Sequence, residues 1–135
     1  MVSKKILIAD DEPNIVAAIE FLLTQGGYEV FTARDGGEAL RLVERVVPDL
    51  VLLDVMMPQT SGYEVCQRIR KRDEWRHIKI IMLSAKGRDA EVIKGLGMGA
   101  DLYVTKPFST RELMARVREL LNEGSSQGPP QGQGQ

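Results

Sequence analysis

Cysteine and histidine are almost absent from this sequence, and the shortage excludes several kinds of site. The 135 residues include one cysteine, Cys66, and one histidine, His77. A single cysteine rules out an intramolecular disulfide and a multi-cysteine metal cage, and it suits a reducing cytosol. Without a cysteine or histidine cluster, nothing in the sequence points to zinc. We interpret Cys66 as a packing residue and assign no role to His77.

A large net charge and long apolar runs are also missing. The formal net charge is -1, which offers no general attraction to nucleic acid or to an anionic membrane. The first apolar run covers only residues 6–9, too short for the core of a signal peptide, and no later run approaches the length of a membrane span. We expect a cytoplasmic protein that binds neither membrane nor nucleic acid directly.

The densest basic run invites a nucleic-acid interpretation, because it brings together Arg68, Arg70, Lys71 and Arg72. The run falls at the end of a predicted helix, where cations interact favourably with the helix dipole, and two acidic residues follow at once. We therefore interpret the run as structural.

Five short apolar segments alternate with segments of helical spacing. The apolar segments are typical of buried strands and lie at 5–9, 29–32, 50–53, 79–83 and 102–104. Alternation of strand and helix predicts a parallel sheet covered by helices on both faces. The expected fold class is therefore α/β, with a doubly wound five-stranded parallel sheet.

Capping residues mark the starts of several predicted helices. An N-cap side chain followed three residues later by Glu is the capping-box spacing, and it occurs in three places: Asp35 with Glu38, Ser61 with Glu64, and Ser109 with Glu112. Pro13 suits the first turn of the first helix, where its missing N–H costs nothing. Gly26 and Gly27 suit the end of that helix, where a left-handed residue is common.

Polar residues follow four of the five predicted strands. In parallel sheets of this class the crossovers are right-handed, and ligands bind outside the carboxyl ends of the strands. The residues that follow the strands are Asp10 and Asp11 after the first, Asp54 after the third, Ser84 after the fourth, and Thr105 and Lys106 after the fifth. Three carboxylates, a hydroxyl group and an ammonium group should therefore meet at one edge.

Such a group of residues suits magnesium-dependent phosphoryl transfer. Converging carboxylates repel each other unless a cation lies between them, and Mg²⁺ is a hard cation that binds through oxygen. A carboxylate can also be the nucleophile that forms an aspartyl phosphate, in a reaction that depends on alignment and charge neutralisation. Lys106 would add positive charge, and Ser84 would donate a hydrogen bond to the phosphoryl group.

At this point the sequence resembles a known family, the bacterial two-component response-regulator receiver domains, including the single-domain chemotaxis type. The resemblance runs from about Lys4 to Leu121. Four motifs carry it, together with Gly62: Ile-Leu-Ile-Ala-Asp-Asp-Glu at 6–12, Asp-Val-Met-Met-Pro at 54–58, Leu-Ser-Ala at 83–85, and Gly-Ala-Asp-Leu-Tyr-Val-Thr-Lys-Pro-Phe at 99–108. Each motif is weak alone, but their order and spacing are specific.

The resemblance implies a site and a fold. Asp54 would be the phospho-acceptor, and Mg²⁺, for which Mn²⁺ can substitute, would be held by Asp10, Asp11, Asp54 and the backbone carbonyl of Met56. The fold would be a flavodoxin-like (βα)5 with strand order 2-1-3-4-5. The bond between Lys106 and the proline that follows it would be cis.

The resemblance also implies a switch. Lys106 and Ser84 would hold the transferred phosphoryl group. Ser84 and Tyr103 would then report it to the face formed by the fourth helix, the fifth strand and the fifth helix. The partners would be a sensor histidine kinase or phosphotransfer protein and a downstream protein target or output domain, and phosphorylation can drive homodimer formation. Such a domain is a switch and not an enzyme, apart from its part in its own phosphorylation and slow dephosphorylation.

Simpler interpretations of the same residues stand beside this one. Asp10 and Asp11 are also typical of a solvated helix start, and Lys106 of an ordinary loop. Ser84 would also suit a strand end. Tyr103 would also suit a half-buried strand position with its hydroxyl in water. The register of all these residues favours the functional interpretation.

Three other functions are open on the sequence alone. A magnesium-dependent aspartyl-phosphate phosphatase would need a second carboxylate two residues after Asp54, where Met56 stands. A DNA-binding regulator would use this chain as its receiver half. A degenerate receiver would only bind proteins, which the full set of acidic, hydroxyl and lysine positions disfavours. We expect a receiver domain at 1–123 and a disordered tail or linker stub at 124–135, where no apolar residue occurs.

Overall fold

The computed structural model describes residues 3–85, 97 and 99–122. Its strands are β1 (Lys5–Ala9), β2 (Glu29–Ala33), β3 (Leu50–Asp54), β4 (Lys79–Ala85) and β5 (Leu102–Lys106). Its helices are α1 (Pro13–Gln25), α2 (Gly36–Val46), α3 (Gly62–Arg70), a short 3-10 helix (Asp73–Trp75) and a C-terminal helix (Thr110–Asn122). The expected tail and most of the expected fourth helix lie outside the described residues.

The five strands form one parallel sheet in the order β2-β1-β3-β4-β5. This confirms the expected α/β class and the order that the resemblance implied. The order reverses between β1 and β3, and a sheet of this kind opens a crevice at that point. Within the described residues, every helix is too short or too polar to cross a membrane.

Four strands, β2 to β5, extend further than the sequence pattern predicted, and the last three of them extend into the functional residues. The ladder pairs Asp54 with Leu83, Ser84 with Thr105, and Ala85 with Lys106. The polar residues expected in the loops after β3, β4 and β5 are therefore the last residues of the strands themselves. Parallel pairing continues past the final apolar residue, and it fixes the positions of these functional groups relative to one another.

Alternate residues of the strands face two separate apolar layers, as the two-residue period of a strand requires. On one face, side chains such as Val51 and Ile80 pack beneath α2 and α3. On the other face, side chains such as Leu52 and Ile81 pack beneath α1 and the C-terminal helix. All five residues of β3 are buried, which makes it the most enclosed strand with a functional residue at its end.

The predicted helix ends are confirmed. The side chains of Asp35, Ser61 and Ser109 accept hydrogen bonds from the backbone N–H groups three residues ahead, at 2.8, 3.3 and 3.2 Å respectively. Pro13 lies in the first turn of α1. Gly27, with φ of 93°, supplies the left-handed residue that follows that helix. These caps satisfy backbone groups that a helix end would otherwise leave unpaired.

Candidate functional site

Two buried carboxylates lie at the carboxyl ends of neighbouring strands. Asp54 ends β3 and is 5% exposed, and Asp10 follows β1 and is 1% exposed. The backbone N–H of Asp10 donates to the carbonyl of Ala33 at 3.1 Å, which fixes the start of the loop after β1. Burial of two acidic groups side by side is costly unless positive charge compensates them.

Lys106 supplies that positive charge from the end of β5. Its Nζ lies 3.1 Å from Asp10 Oδ2, 3.5 Å from Asp54 Oδ2 and 2.6 Å from Glu12 Oε1. The lysine side chain is only 17% exposed. One ammonium group thus faces three carboxylates, so negative charge is in excess at this site.

The excess of negative charge appears in the pKa values. Burial and the neighbouring charge of Asp10 raise the pKa of Asp54 to about 6, although Lys106 and a backbone hydrogen bond act in the opposite direction. Burial alone would lower the pKa of Lys106, but its hydrogen bonds to Glu12 and Asp10 raise it overall. At neutral pH the site therefore holds a charged lysine and the carboxylate of Asp54, whose ionised form is destabilised by its surroundings.

The oxygen atoms of this site suit a hard cation. Carboxylate oxygens of Asp10, Glu12 and Asp54 all lie within 4.8 Å of one another. Such an all-oxygen donor set with excess negative charge fits Mg²⁺. Asp11, which the sequence also placed here, is exposed and lies outside this group of three, but it lines the same open cleft of about 520 Å³.

The loop after β3 fixes the position of Asp54. The backbone N–H of Met56 donates to Asp54 Oδ1 at 3.2 Å, while the Met56 side chain is 67% exposed and lines the cleft. Gly62 donates its N–H to the carbonyl of Val55 at 2.9 Å. A Cβ atom at Gly62 would lie 2.2 Å from the carbonyl oxygen of Asp54, so only glycine lets α3 begin this close to the strand.

Ser84 and Tyr103 lie on the two neighbouring strands. Ser84, on β4, is 1% exposed and pairs in register with Thr105. Tyr103 on β5 pairs with Met82 and packs against the apolar layer beneath α2 and α3. Its hydroxyl group is buried and has no hydrogen-bond partner among the described residues. The alternative interpretation, in which this hydroxyl lies in water, was therefore wrong.

Two further expectations concern the surroundings of the site. The bond between Lys106 and Pro107 is cis, as the resemblance implied. The basic run at the end of α3 pairs with acids: Arg68 with Glu64 at 2.9 Å, Arg70 with Asp101 at 2.9 Å and Arg72 with Glu74 at 2.9 Å. These pairs support the structural interpretation of that run.

Sequence reasoning missed the role of Glu12 in this arrangement. It treated Asp10 and Asp11 as the acidic pair, whereas the acid that reaches Lys106 beside Asp10 is Glu12. The signal was present in the run Asp-Asp-Glu. The sequence alone does not say which of three consecutive acids turns towards the strand ends.

Residues 6–118 match the family model of the response regulator receiver domain. The receiver domain of the Francisella response regulator 1452 is 35% identical with a TM-score of 0.83, over 91% of this chain and 100% of that one. A CheY-like receiver domain protein from Methanospirillum hungatei is 31% identical with a TM-score of 0.85, over 94% and 100%. The BeF3-activated DrrB receiver domain is 36% identical with a TM-score of 0.81, over 90% and 99%.

Proposed function

The chain belongs to the response regulator receiver domains, a family of phosphorylation-dependent signalling switches, and we propose that Asp54 is the residue that accepts the phosphoryl group. One observation carries the proposal. Asp54 is a buried carboxylate whose pKa is raised to about 6, and it faces an ammonium group 3.5 Å away at the edge of an open cleft. A reactive, accessible oxygen next to a fixed positive charge is what phosphoryl acceptance requires.

The donor would be a phosphohistidine on a sensor histidine kinase or a phosphotransfer protein. A carboxylate oxygen of Asp54 forms a bond to phosphorus while the phosphorus–nitrogen bond breaks, and the departing imidazole nitrogen keeps the electron pair. The pKa of about 6 leaves Asp54 ionised at neutral pH, as the attack requires. Lys106 donates hydrogen bonds to the transferred oxygens, and Ser84 donates one from the end of β4.

Magnesium completes the charge balance. We propose that Asp10, Asp11, Asp54 and the backbone carbonyl of Met56 hold the ion. In support, carboxylate oxygens of Asp10 and Asp54 lie within 4.8 Å of each other, and Asp11, Asp54 and Met56 line one cleft. When bound, Mg²⁺ neutralises the carboxylates and the phosphoryl oxygens. The hydrogen bond from the backbone N–H of Met56 to Asp54 Oδ1 holds the acceptor carboxylate in place.

The output would begin at Ser84 and Tyr103. Both lie in the β4–β5 ladder, where Ser84 pairs with Thr105 and Met82 pairs with Tyr103. Tyr103 is therefore two residues from the partner of Ser84, close enough for a displacement of Ser84 to affect it. A buried hydroxyl without a hydrogen-bond partner among the described residues favours a second arrangement of that ring. A shift of a few kcal/mol between two arrangements is enough to switch the population.

The downstream partner would be a protein target or an output domain that binds the face made by the fourth helix, β5 and the C-terminal helix. Most of the fourth helix lies outside the described residues, so the described part of that face is mainly β5 and the C-terminal helix. We also keep the proposal that 1–123 is the folded unit and 124–135 a tail or linker. Formation of a homodimer on phosphorylation belongs to the same proposal.

Incubation with acetyl phosphate and Mg²⁺, followed by intact mass measurement, tests the acceptor. The wild-type chain should gain the mass of one phosphoryl group, and Asp54→Asn should gain none. Asp101→Asn is a matched control, because Asp101 is the carboxylate at the opposite end of β5 and should leave the mass gain unchanged. A gain that survives Asp54→Asn would contradict the proposal.

A further inference from the structure

The shortest contact of Lys106 is not with the proposed acceptor. Its Nζ lies 2.6 Å from Glu12 Oε1 and 3.5 Å from Asp54 Oδ2. Charge-assisted hydrogen bonds between nitrogen and oxygen are usually about 2.7–2.9 Å long, so the first contact is tight and the second is outside that range. In the unphosphorylated state the ammonium group is therefore drawn towards Glu12.

The contact with Glu12 belongs to a closed ring of hydrogen bonds. The backbone N–H of Glu12 donates to Asp10 Oδ1 at 2.9 Å, the other oxygen of Asp10 accepts from Lys106 at 3.1 Å, and Lys106 donates to the Glu12 side chain. Each member fixes the next. Two of the three N–H donors of Lys106 are hydrogen-bonded to Asp10 and Glu12, and Asp54 lies farther away at 3.5 Å. For Lys106 to move towards a phosphoryl group on Asp54, one of these two hydrogen bonds must weaken.

Glu12 is the partner that can most easily leave. Its side chain is 55% exposed and is solvated after release, whereas the side chain of Asp10 is fully buried. Asp54 itself becomes the phosphoryl carrier and keeps its place next to Lys106. The exchange of Glu12 for a phosphoryl oxygen therefore costs less than either alternative.

We propose that Glu12 is a positioning residue that holds Lys106 in the unphosphorylated state and competes with the incoming phosphoryl group for it. The inference rests on the proposed function of Asp54. It assigns to Glu12 the task of slowing acceptance, so that Lys106 is released only when a phosphoryl group takes the place of the carboxylate.

Acetyl phosphate gives the simplest reaction in which to measure this competition. An oxygen of Asp54 bonds to phosphorus, the phosphorus–oxygen bond to the acetyl group breaks, and acetate leaves with the electron pair. At saturating Mg²⁺, Glu12→Gln should accept the phosphoryl group about two to five times faster than wild type, which is the size of effect that a partly exposed charged hydrogen bond gives. Its affinity for BeF3⁻ should rise by a similar factor.

Two companion variants separate contact from charge. Glu12→Asp keeps the charge but is one methylene shorter, so it should behave like Glu12→Gln if the contact matters. Glu20→Gln makes the same charge change at an exposed position on α1, the helix that follows Glu12, and its rate should equal that of wild type. Wild-type rates in both Glu12 variants, a slower rate, or an effect of Glu20→Gln as large as that of Glu12→Gln would each overturn the proposal.

A spectroscopic readout in metal-free protein tests the same contact without the reaction. The NMR signal of the Lys106 ammonium group should be protected from solvent exchange in wild type and lose that protection in both Glu12 variants. An unchanged signal would overturn the proposal. If wild type gains no phosphoryl group at all, the function of Asp54 fails; if it does gain one but the Glu12 variants match it, only the role of Glu12 fails.

Discussion

The two ends of β5 each join a cation to acidic groups, but they do so in opposite proportions. At the start of the strand, Arg70 donates to Asp101 at 2.9 Å and to the carbonyl of Gly99 at 2.8 Å. Asp101 also accepts the backbone N–H of Ile80 at 2.8 Å. At the other end, Lys106 alone faces three carboxylates.

The difference separates a structural charge cluster from a functional one. One guanidinium and one carboxylate compensate each other in charge, and the Arg70 pair ties α3 to the start of β5. The Lys106 site is short of positive charge, and burial together with the neighbouring charge of Asp10 raises the pKa of Asp54. An excess of negative charge raises the free energy of the site, and binding of a cation lowers it.

Removal of the acid at the structural end should give the largest change in stability. Asp101→Ala leaves Arg70 and the Ile80 N–H without their acceptor, and we expect the free energy of unfolding to fall by about 2–3 kcal/mol. Urea denaturation measures it. Asp101→Asn keeps an acceptor for Ile80 and should lose about half as much. A loss of unfolding free energy smaller than that caused by breaking the exposed Arg68–Glu64 pair would contradict the structural role of Asp101.

Removal of the acid at the functional end should have the opposite sign. The folded pKa of Asp54, about 6, lies above its ordinary value of 3.8, so the folded state binds this proton more tightly and loses stability as pH rises between these values. Asp54→Asn should therefore gain about 1–2 kcal/mol at pH 7 without metal, and almost nothing below pH 4. Urea denaturation at both pH values measures this change in the free energy of unfolding. Asp11→Asn, at an exposed position, is the control and should gain less stability.

Magnesium should relieve the same shortage in the wild-type chain. At about ten times its dissociation constant, an ion that binds only the folded state adds about 1.4 kcal/mol, or about 4–8 °C in the thermal midpoint. NaCl at equal ionic strength is the control, and Asp101→Asn should keep the response. The absence of any shift at millimolar Mg²⁺ would count against the site.

An exposed ion pair should show the smallest effect. Arg68 and Glu64 lie 2.9 Å apart on α3, with 58% and 47% of their side chains exposed. Glu64→Gln should cost no more than about 0.5 kcal/mol in urea denaturation, because water screens this pair. A cost equal to that of Asp101→Ala would show that burial does not distinguish the clusters.

Features that depend on neighbouring residues could be predicted from the sequence. The caps at Asp35, Ser61 and Ser109 each use a backbone group three residues away, so a short pattern determines them. The strand pattern gave the alternation and the sheet edge at which Asp54 lies. It ended the strands too early, because it stops at the last apolar side chain while the backbone ladder continues to Lys106.

Individual contacts between distant side chains could not be predicted. Arg70 and Asp101 are 31 positions apart, and no local pattern links them. The choice between Asp11 and Glu12 depends on the path of the loop after β1, which brings Glu12 back to Lys106. The sequence shows how many charged residues the chain has but not which of them come together, so the contrast between the two ends of β5 is visible only in the structure.

Gly62 shows how a backbone requirement can be mistaken for chemistry. Any side chain there would collide with the carbonyl of Asp54, and the collision would displace the acceptor from Lys106 without touching any reacting atom. In a saturation mutagenesis screen scored only by phosphorylation, position 62 will rank with Asp54 itself. Screening the same library for folding should separate the two, because we expect Asp54→Asn to fold and substitutions of Gly62 to be destabilised.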